Sequence, residues 1–287
     1  AQYYYEGYCE GGESYDIVGC PNPLYVKDGV ALCVTGMGKV NSAMTLQAIL
    51  MDDRFDFSNA YIVSTGCAGS AIEYGVMGDV FVITATVDFD LGHHADARDL
   101  TTDLATTWFH DESYDDASAK LLNQELCEKV FNLVKDVQIE TTEKTRAFMA
   151  ATFDNADWAI RDPKVLRGTT VTGDNYWKGM HDHENALLMT KTYGCPDPYA
   201  LTEMEDHAMA VVLDRLGMLD RYIIIRDSVN TDVFMNGASP ESLWDPNFVD
   251  SLASESSVES ADIFATAMKN NFTVGHVVID AILNGEL

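Results

Sequence analysis

Short β-branched runs and longer amphipathic stretches follow one another along the chain, and most of the joins carry glycine. Residues 31–35 predict a strand that ends in Gly36-Met37-Gly38, and residues 40–50 have the apolar spacing of a helix. Residues 60–65 predict a second strand, ending in Gly66-Cys67-Ala68-Gly69, and residues 79–87 a long β-branched one. In residues 117–134, Leu121, Leu122, Leu126, Val130, Phe131 and Val134 fall on one face and predict a helix. Residues 169–172 predict a short strand running into Gly173-Asp174-Asn175-Tyr176-Trp177. A helix over 183–192 stops at Gly194-Cys195-Pro196, and another opens at Thr202 and stops at Gly217. A strand over 221–226 and one or two helices over 258–287 complete the pattern. Residues 1–30, aromatic and glycine-rich, read as irregular, and the polar stretch 89–116 reads as a long loop.

The repeated order of strand, glycine-rich turn and helix predicts an α/β fold with a largely parallel sheet, in which ligands sit at the carboxyl ends of the strands. No linker, repeat or low-complexity stretch divides residues 1–287, so one domain is expected. Hydrophobic residues make up 47% of the chain, enough for a sizeable core, yet none of the apolar runs reaches the roughly 18 residues of a membrane span.

The charge narrows the choice of partner. Forty-six acidic residues against 18 Lys and Arg give a net charge of −28, which repels nucleic acid and anionic lipid. The six cysteines form no CxxC and have no histidine at zinc-finger spacing, so neither a metal nor a cofactor is expected. Cys20 and Cys33 flank two turns and are candidates for a disulfide, with two unpaired thiols as the other reading. A bridge would fit an oxidising compartment, and Ala1-Gln2 fits the start of a mature secreted chain. An extracellular or periplasmic location is therefore expected.

Candidate chemistry gathers at the strand ends. The glycines of Thr35-Gly36-Met37-Gly38 and of the Gly66-Cys67 segment would let backbone N–H groups approach an anion, or form ordinary tight turns. Tyr176 and Trp177 offer flat faces for a base, or for a core. Asn230 has a donor and an acceptor for a purine edge. Thr202-Glu203-Met204-Glu205 places acids in a first helical turn, where they suit the macrodipole, or else turns Glu205 toward a polyol such as ribose.

The order of these segments resembles the purine nucleoside permease family of the nucleoside phosphorylase/nucleosidase superfamily. The resemblance spans roughly residues 20–232. It rests on Thr35-Gly36-Met37-Gly38-Lys39-Val40-Asn41-Ser42-Ala43, Arg54-Phe55-Asp56, Val87-Asp88-Phe89-Asp90, Asp96-Ala97-Arg98-Asp99, Thr172-Gly173-Asp174-Asn175-Tyr176-Trp177-Lys178-Gly179 and Glu203-Met204-Glu205-Asp206-His207-Ala208. It implies a single α/β domain, a twisted mixed sheet flanked by helices as a three-layer sandwich, assembled as a homo-oligomer. It implies a purine nucleoside as ligand, with Tyr176 and Trp177 at the base, Met204 and Glu205 at the ribose, and Asn230 beside N7. Thr35, Gly38, Gly66 and Cys67 would hold phosphate, as co-substrate, or the attacking water. Asn230 and Glu205 would be the catalytic pair for cleaving the N-glycosidic bond by phosphorolysis or hydrolysis, in nucleoside uptake or salvage.

Two departures weigh against this activity. Ser64 stands where the superfamily's phosphorylases place an arginine, leaving Arg98 or Arg226 as substitutes. The superfamily's first strand is also missing, unless residues 1–8 or another subunit supply it. The alternative function is a secreted, catalytically silent protein that keeps the fold for binding, storage or self-assembly.

Overall fold

The computed structural model describes residues 1–102, 106–233 and 258–287. The chain opens with α1 (Gln2–Tyr4) and a π-helical turn (Tyr5–Cys9), then the small antiparallel sheet β1 (Glu13–Tyr15), β2 (Leu24–Lys27) and β3 (Val30–Leu32). Next come α2 (Lys39–Leu50), β4 (Ile62–Ser70), β5 (Val80–Asp88) and the ribbon β6 (His93–His94) with β7 (Trp108–Phe109). After α3 (Asp115–Ser118), β8 (Ala119–Leu121), α4 (Gln124–Val134) and α5 (Glu143–Thr152), the chain returns to the sheet with β9 (Val165–Thr172). It ends with α6 (Met180–Thr192), β10 (Tyr199–Glu203), α7 (Asp206–Arg215), β11 (Tyr222–Thr231) and α8 (Val258–Leu283).

The main sheet runs β11-β4-β10-β9-β5-β8, and β11 also pairs with β5, so its five longer strands close on themselves. Pairing is mixed: β11–β4, β10–β9 and β9–β5 are parallel, while β10–β4, β11–β5 and β5–β8 are antiparallel. Successive side chains of β11 point to opposite faces, as a strand's period of two requires. Ile224 packs with Leu46 of α2 and Met209 and Leu213 of α7, whereas Ile223 and Ile225 pack with Val130 of α4 and Val274 and Val278 of α8. Helices thus cover the sheet on both sides. Each of these fully buried aliphatic side chains contributes about 1.5–3 kcal/mol by leaving water.

Several boundaries differ from the sequence reading, each for a local reason. The helix expected over 117–134 starts only at Gln124, where the Asn123 side chain accepts from Leu126 N–H as an N-cap. Residues 119–121 instead pair with β5. The helix expected from Thr202 is a strand up to Glu203, because Leu201, Thr202 and Glu203 pair with β9. Residues 1–30 are ordered rather than irregular: Tyr4 Oη donates to Asn271 Oδ1 at 2.8 Å and Tyr8 Oη to Asp280 Oδ1 at 2.7 Å, fastening the first turn to α8. Residues 1–8 therefore do not add an extended strand to the main sheet. Among the described residues, β4 pairs with β11 along Ile62–Ser70, while on its other side only Gly69 and Ser70 meet β10. The edge along 62–68 has no second strand partner among the described residues.

Cys20 and Cys33 are free thiols, so the expected bridge is not formed. Each sulfur donates instead to a backbone carbonyl, Cys20 to Thr45 at 3.7 Å and Cys33 to Asn22 at 3.6 Å. Burial pushes the Cys33 thiol up to about 11, which keeps it protonated and unreactive at neutral pH.

Candidate functional site

A cavity of about 510 Å³ opens at the carboxyl ends of β9, β10 and β11 and along residues 63–69 of β4. Of the residues predicted for the site, Thr35, Gly66, Cys67, Tyr176, Trp177, Met204, Glu205 and Asn230 line it together. Gly38 lies one hydrogen bond behind the wall, its N–H donating to Glu205 Oε1 at 3.0 Å.

The glycine-rich segments prove to be of two kinds. Gly36 and Gly38 have φ of 86° and 92°, left-handed values open to glycine, and they carry the loop into α2. Gly66 to Gly69 form no turn: β4 continues straight through to Ser70. The expected anion nest at Gly66-Cys67 is therefore absent, since extended backbone points successive N–H groups to opposite sides. Close approach explains these glycines instead. A Cβ on Gly66 would lie 2.7 Å from Arg226 Nη1, and one on Gly69 would lie 2.6 Å from Asn230 Oδ1.

Behind Glu205 in the cavity wall lies a buried acid cluster on one guanidinium. Arg226 projects from β11 and gives Nε to Asp206 Oδ2 at 2.8 Å and Nη2 to Asp206 Oδ1 at 2.7 Å. The same Nη2 reaches Glu205 Oε2 at 3.2 Å and Glu203 Oε2 at 3.3 Å, while Nη1 donates to the Cys67 carbonyl at 3.1 Å. Ser64, at the position of the missing arginine, donates to Asp206 Oδ1 at 2.7 Å. Arg98 offers no substitute, being exposed and paired with Asp96.

Glu203 is the residue whose importance the sequence understated. Its Oε2 accepts from Glu205 N–H at 2.6 Å and Asp206 N–H at 2.8 Å, satisfying donors at the start of α7, and its Oε1 meets the hydroxyls of Thr170 and Thr172. Burial, with the neighbouring Asp206 charge, pushes its carboxyl up to about 8. The adjacent run Glu203-Met204-Glu205-Asp206 was the available signal: so many acids in sequence need a buried cation, and Arg226 supplies it.

Glu205 is different. It sits in the turn between β10 and α7, with its side chain 16% exposed at the cavity wall. Both oxygens are steadied from behind, by Gly38 and Arg226. Tyr176, also in the wall, is 60% exposed. Trp177 is a core residue whose ring stacks on Phe89 at 4.9 Å, which leaves it little face for a base. Asp232, also in the wall, accepts from His183 Nδ1 at 2.7 Å and from Tyr199 Oη at 2.8 Å. Among the described residues no His, Cys, Asp and Glu cluster is arranged to hold a metal ion, and no helix is long and apolar enough to cross a membrane.

Comparison with known proteins matches residues 2–286 to the family described as purine nucleoside permease. A probable purine nucleoside permease of Schizosaccharomyces pombe is 28% identical over 224 residues, 69% of this chain and 63% of that protein. A purine nucleoside permease of Candida albicans is 24% identical over 212 residues, 67% of this chain and 52% of that protein. The chain thus spans between 52% and 63% of the length of these curated relatives. Among solved structures, a 5′-methylthioadenosine/S-adenosylhomocysteine nucleosidase of Neisseria meningitidis aligns with a TM-score of 0.58 at 15% identity, covering 98% of this chain and 96% of that one. A futalosine hydrolase of Helicobacter pylori aligns with a TM-score of 0.53 at 16% identity, covering 94% and 88%. At these identities the likeness is one of fold.

Proposed function

The chain belongs to the purine nucleoside permease family, and from that premise we propose that its cavity binds a purine nucleoside in uptake or salvage. The ribose lies at Met204 and Glu205, and the base lies between Tyr176 and Asn230. The observation that carries this reading is Glu205, a carboxylate at the wall of a cavity large enough for a nucleoside, held from behind on both oxygens. Each oxygen keeps a second lone pair, so a vicinal diol can donate to it without displacing Gly38 or Arg226.

Glycosidic cleavage is the second reading, favoured by Glu205 standing where it would steady positive charge on a departing sugar. Asn230 can donate a hydrogen bond to the leaving base but no proton, which limits the rate. The test is incubation with inosine, adenosine and guanosine, with and without phosphate, followed by chromatography for free base and calorimetry for binding. Binding without release supports a nucleoside carrier. Release without phosphate supports hydrolysis, and release that needs phosphate supports phosphorolysis. Neither binding nor release overturns the nucleoside reading.

The reading extends to a homo-oligomer and a secreted location. Met37, Val40 and Met44 expose apolar side chains beside the cavity, at 72%, 66% and 54%, and a second copy of the chain would cover them. Light scattering that gives a monomer mass removes the first extension; fractionation that finds the protein with cytosolic markers removes the second.

A further inference from the structure

The groups of this cavity that ordinarily hold an anion are already engaged by the protein's own carboxylates. Among the described residues, Arg226 is the single Lys or Arg side chain lining the cavity, and Glu203, Glu205 and Asp206 share its guanidinium. The start of α2 is likewise filled, with Gly38 N–H on Glu205 Oε1 at 3.0 Å and Lys39 N–H on Asp174 Oδ1 at 2.8 Å. The Lys39 ammonium beside it lies between Asp88 and Asp90, 2.9 Å from each. Ser64 spends its hydroxyl on Asp206, and Gly66-Cys67 is extended backbone. Three carboxyl groups thus gather on one guanidinium. On the far face of β11, Asp227 adds a buried carboxyl beside Asn271.

We propose that the cavity is closed to anions: it takes the uncharged nucleoside, rejects nucleoside 5′-phosphates and inorganic phosphate, and works without phosphate as a co-substrate. This rests on the reading of the cavity as a nucleoside site. For phosphate to enter, it would have to strip Glu205 or Asp206 from Arg226, leaving a buried carboxylate without its cation, which is strongly unfavourable. Hydrolysis in such a site balances with water alone. The water oxygen bonds to C1′, the C1′–N bond breaks with its electron pair going to the base, and a proton of the water ends on the base.

The test is calorimetric titration of the intact chain with inosine, inosine 5′-monophosphate and inorganic phosphate at matched ionic strength. The expected result is monophosphate binding roughly 100-fold weaker than inosine, with the gap narrowing between about 0.05 M and 1 M salt as the repulsion is screened. Phosphate alone is expected to give no binding and to leave the inosine affinity where chloride leaves it. Glu205→Gln, which removes one charge, is expected to improve monophosphate binding relative to inosine by roughly tenfold. Monophosphate binding as tight as inosine, or inosine binding tightened by phosphate, would overturn the proposal. If no nucleoside binds, the site reading of the preceding section fails, and phosphate titrated alone still decides the exclusion.

Discussion

Two parts of the cavity wall are built in opposite ways. At the part proposed for the sugar, Glu203, Glu205, Asp206 and Arg226 form a buried network held by backbone N–H groups and hydroxyls. At the part proposed for the base, Tyr176 stands 60% exposed and Asn230 faces the cavity across Gly69. A network fixed before the ligand arrives gives orientation and charge selection, because little has to reorganise on binding. An exposed ring gives contact area that tolerates different bases. On this contrast, the carboxylate network is expected to set both which molecules enter and most of the affinity, with the exposed ring adding less.

The contrast breaks most visibly at its centre. Arg226→Met leaves the carboxylates of Glu205 and Asp206 buried without a cation and is expected to cost about 3–5 kcal/mol of stability, read from urea unfolding. A loss below about 1 kcal/mol would mean that the cluster is solvated and the network is not rigid. Glu205→Ala keeps the core but removes the ribose acceptor, and nucleoside affinity is expected to fall roughly 100-fold while the unfolding midpoint changes little.

The pH dependence sharpens the same part. Glu203 is raised from 4.5 to about 8 in the folded protein, so the unfolded chain releases this proton first as pH rises. Its contribution to stability is fully present below about 4.5 and is lost as pH climbs through about 8. Asp227, raised by burial to about 7, acts in the same direction. Unfolding midpoints measured across that window are expected to fall with pH, and Glu203→Gln is expected to flatten the slope by removing one of the two titrations. An unchanged slope would place the proton elsewhere. At the part proposed for the base, Tyr176→Ala is expected to weaken binding by only about 1 kcal/mol, from lost stacking. Tyr176→Phe is expected to be silent if the ring face is what matters.

The sequence revealed which residues meet at the site better than it revealed the elements that carry them. Strand, helix and glycine order gave the α/β class, and the family's segments brought Thr35, Tyr176, Met204, Glu205 and Asn230 to one cavity. Gly66-Cys67 was misjudged because glycine in a strand, placed there to admit Arg226, reads locally like glycine in a turn. Glu203 was understated because the strand pairing that buries it is long-range, with β9, and leaves no local periodicity. Trp177 reaches the cavity wall as read, but its stacking on Phe89 depends on a segment far away in the chain. The closure of β11 onto β5 is equally non-local and had no signal in either strand alone.

The most direct test of the account is one calorimetric comparison: inosine titrated into the wild-type chain and into Glu205→Ala under identical conditions. The account predicts saturable binding with one site per chain in the wild type, and a roughly 100-fold weaker affinity in the variant with its fold intact. Equal affinity in the two proteins would contradict it.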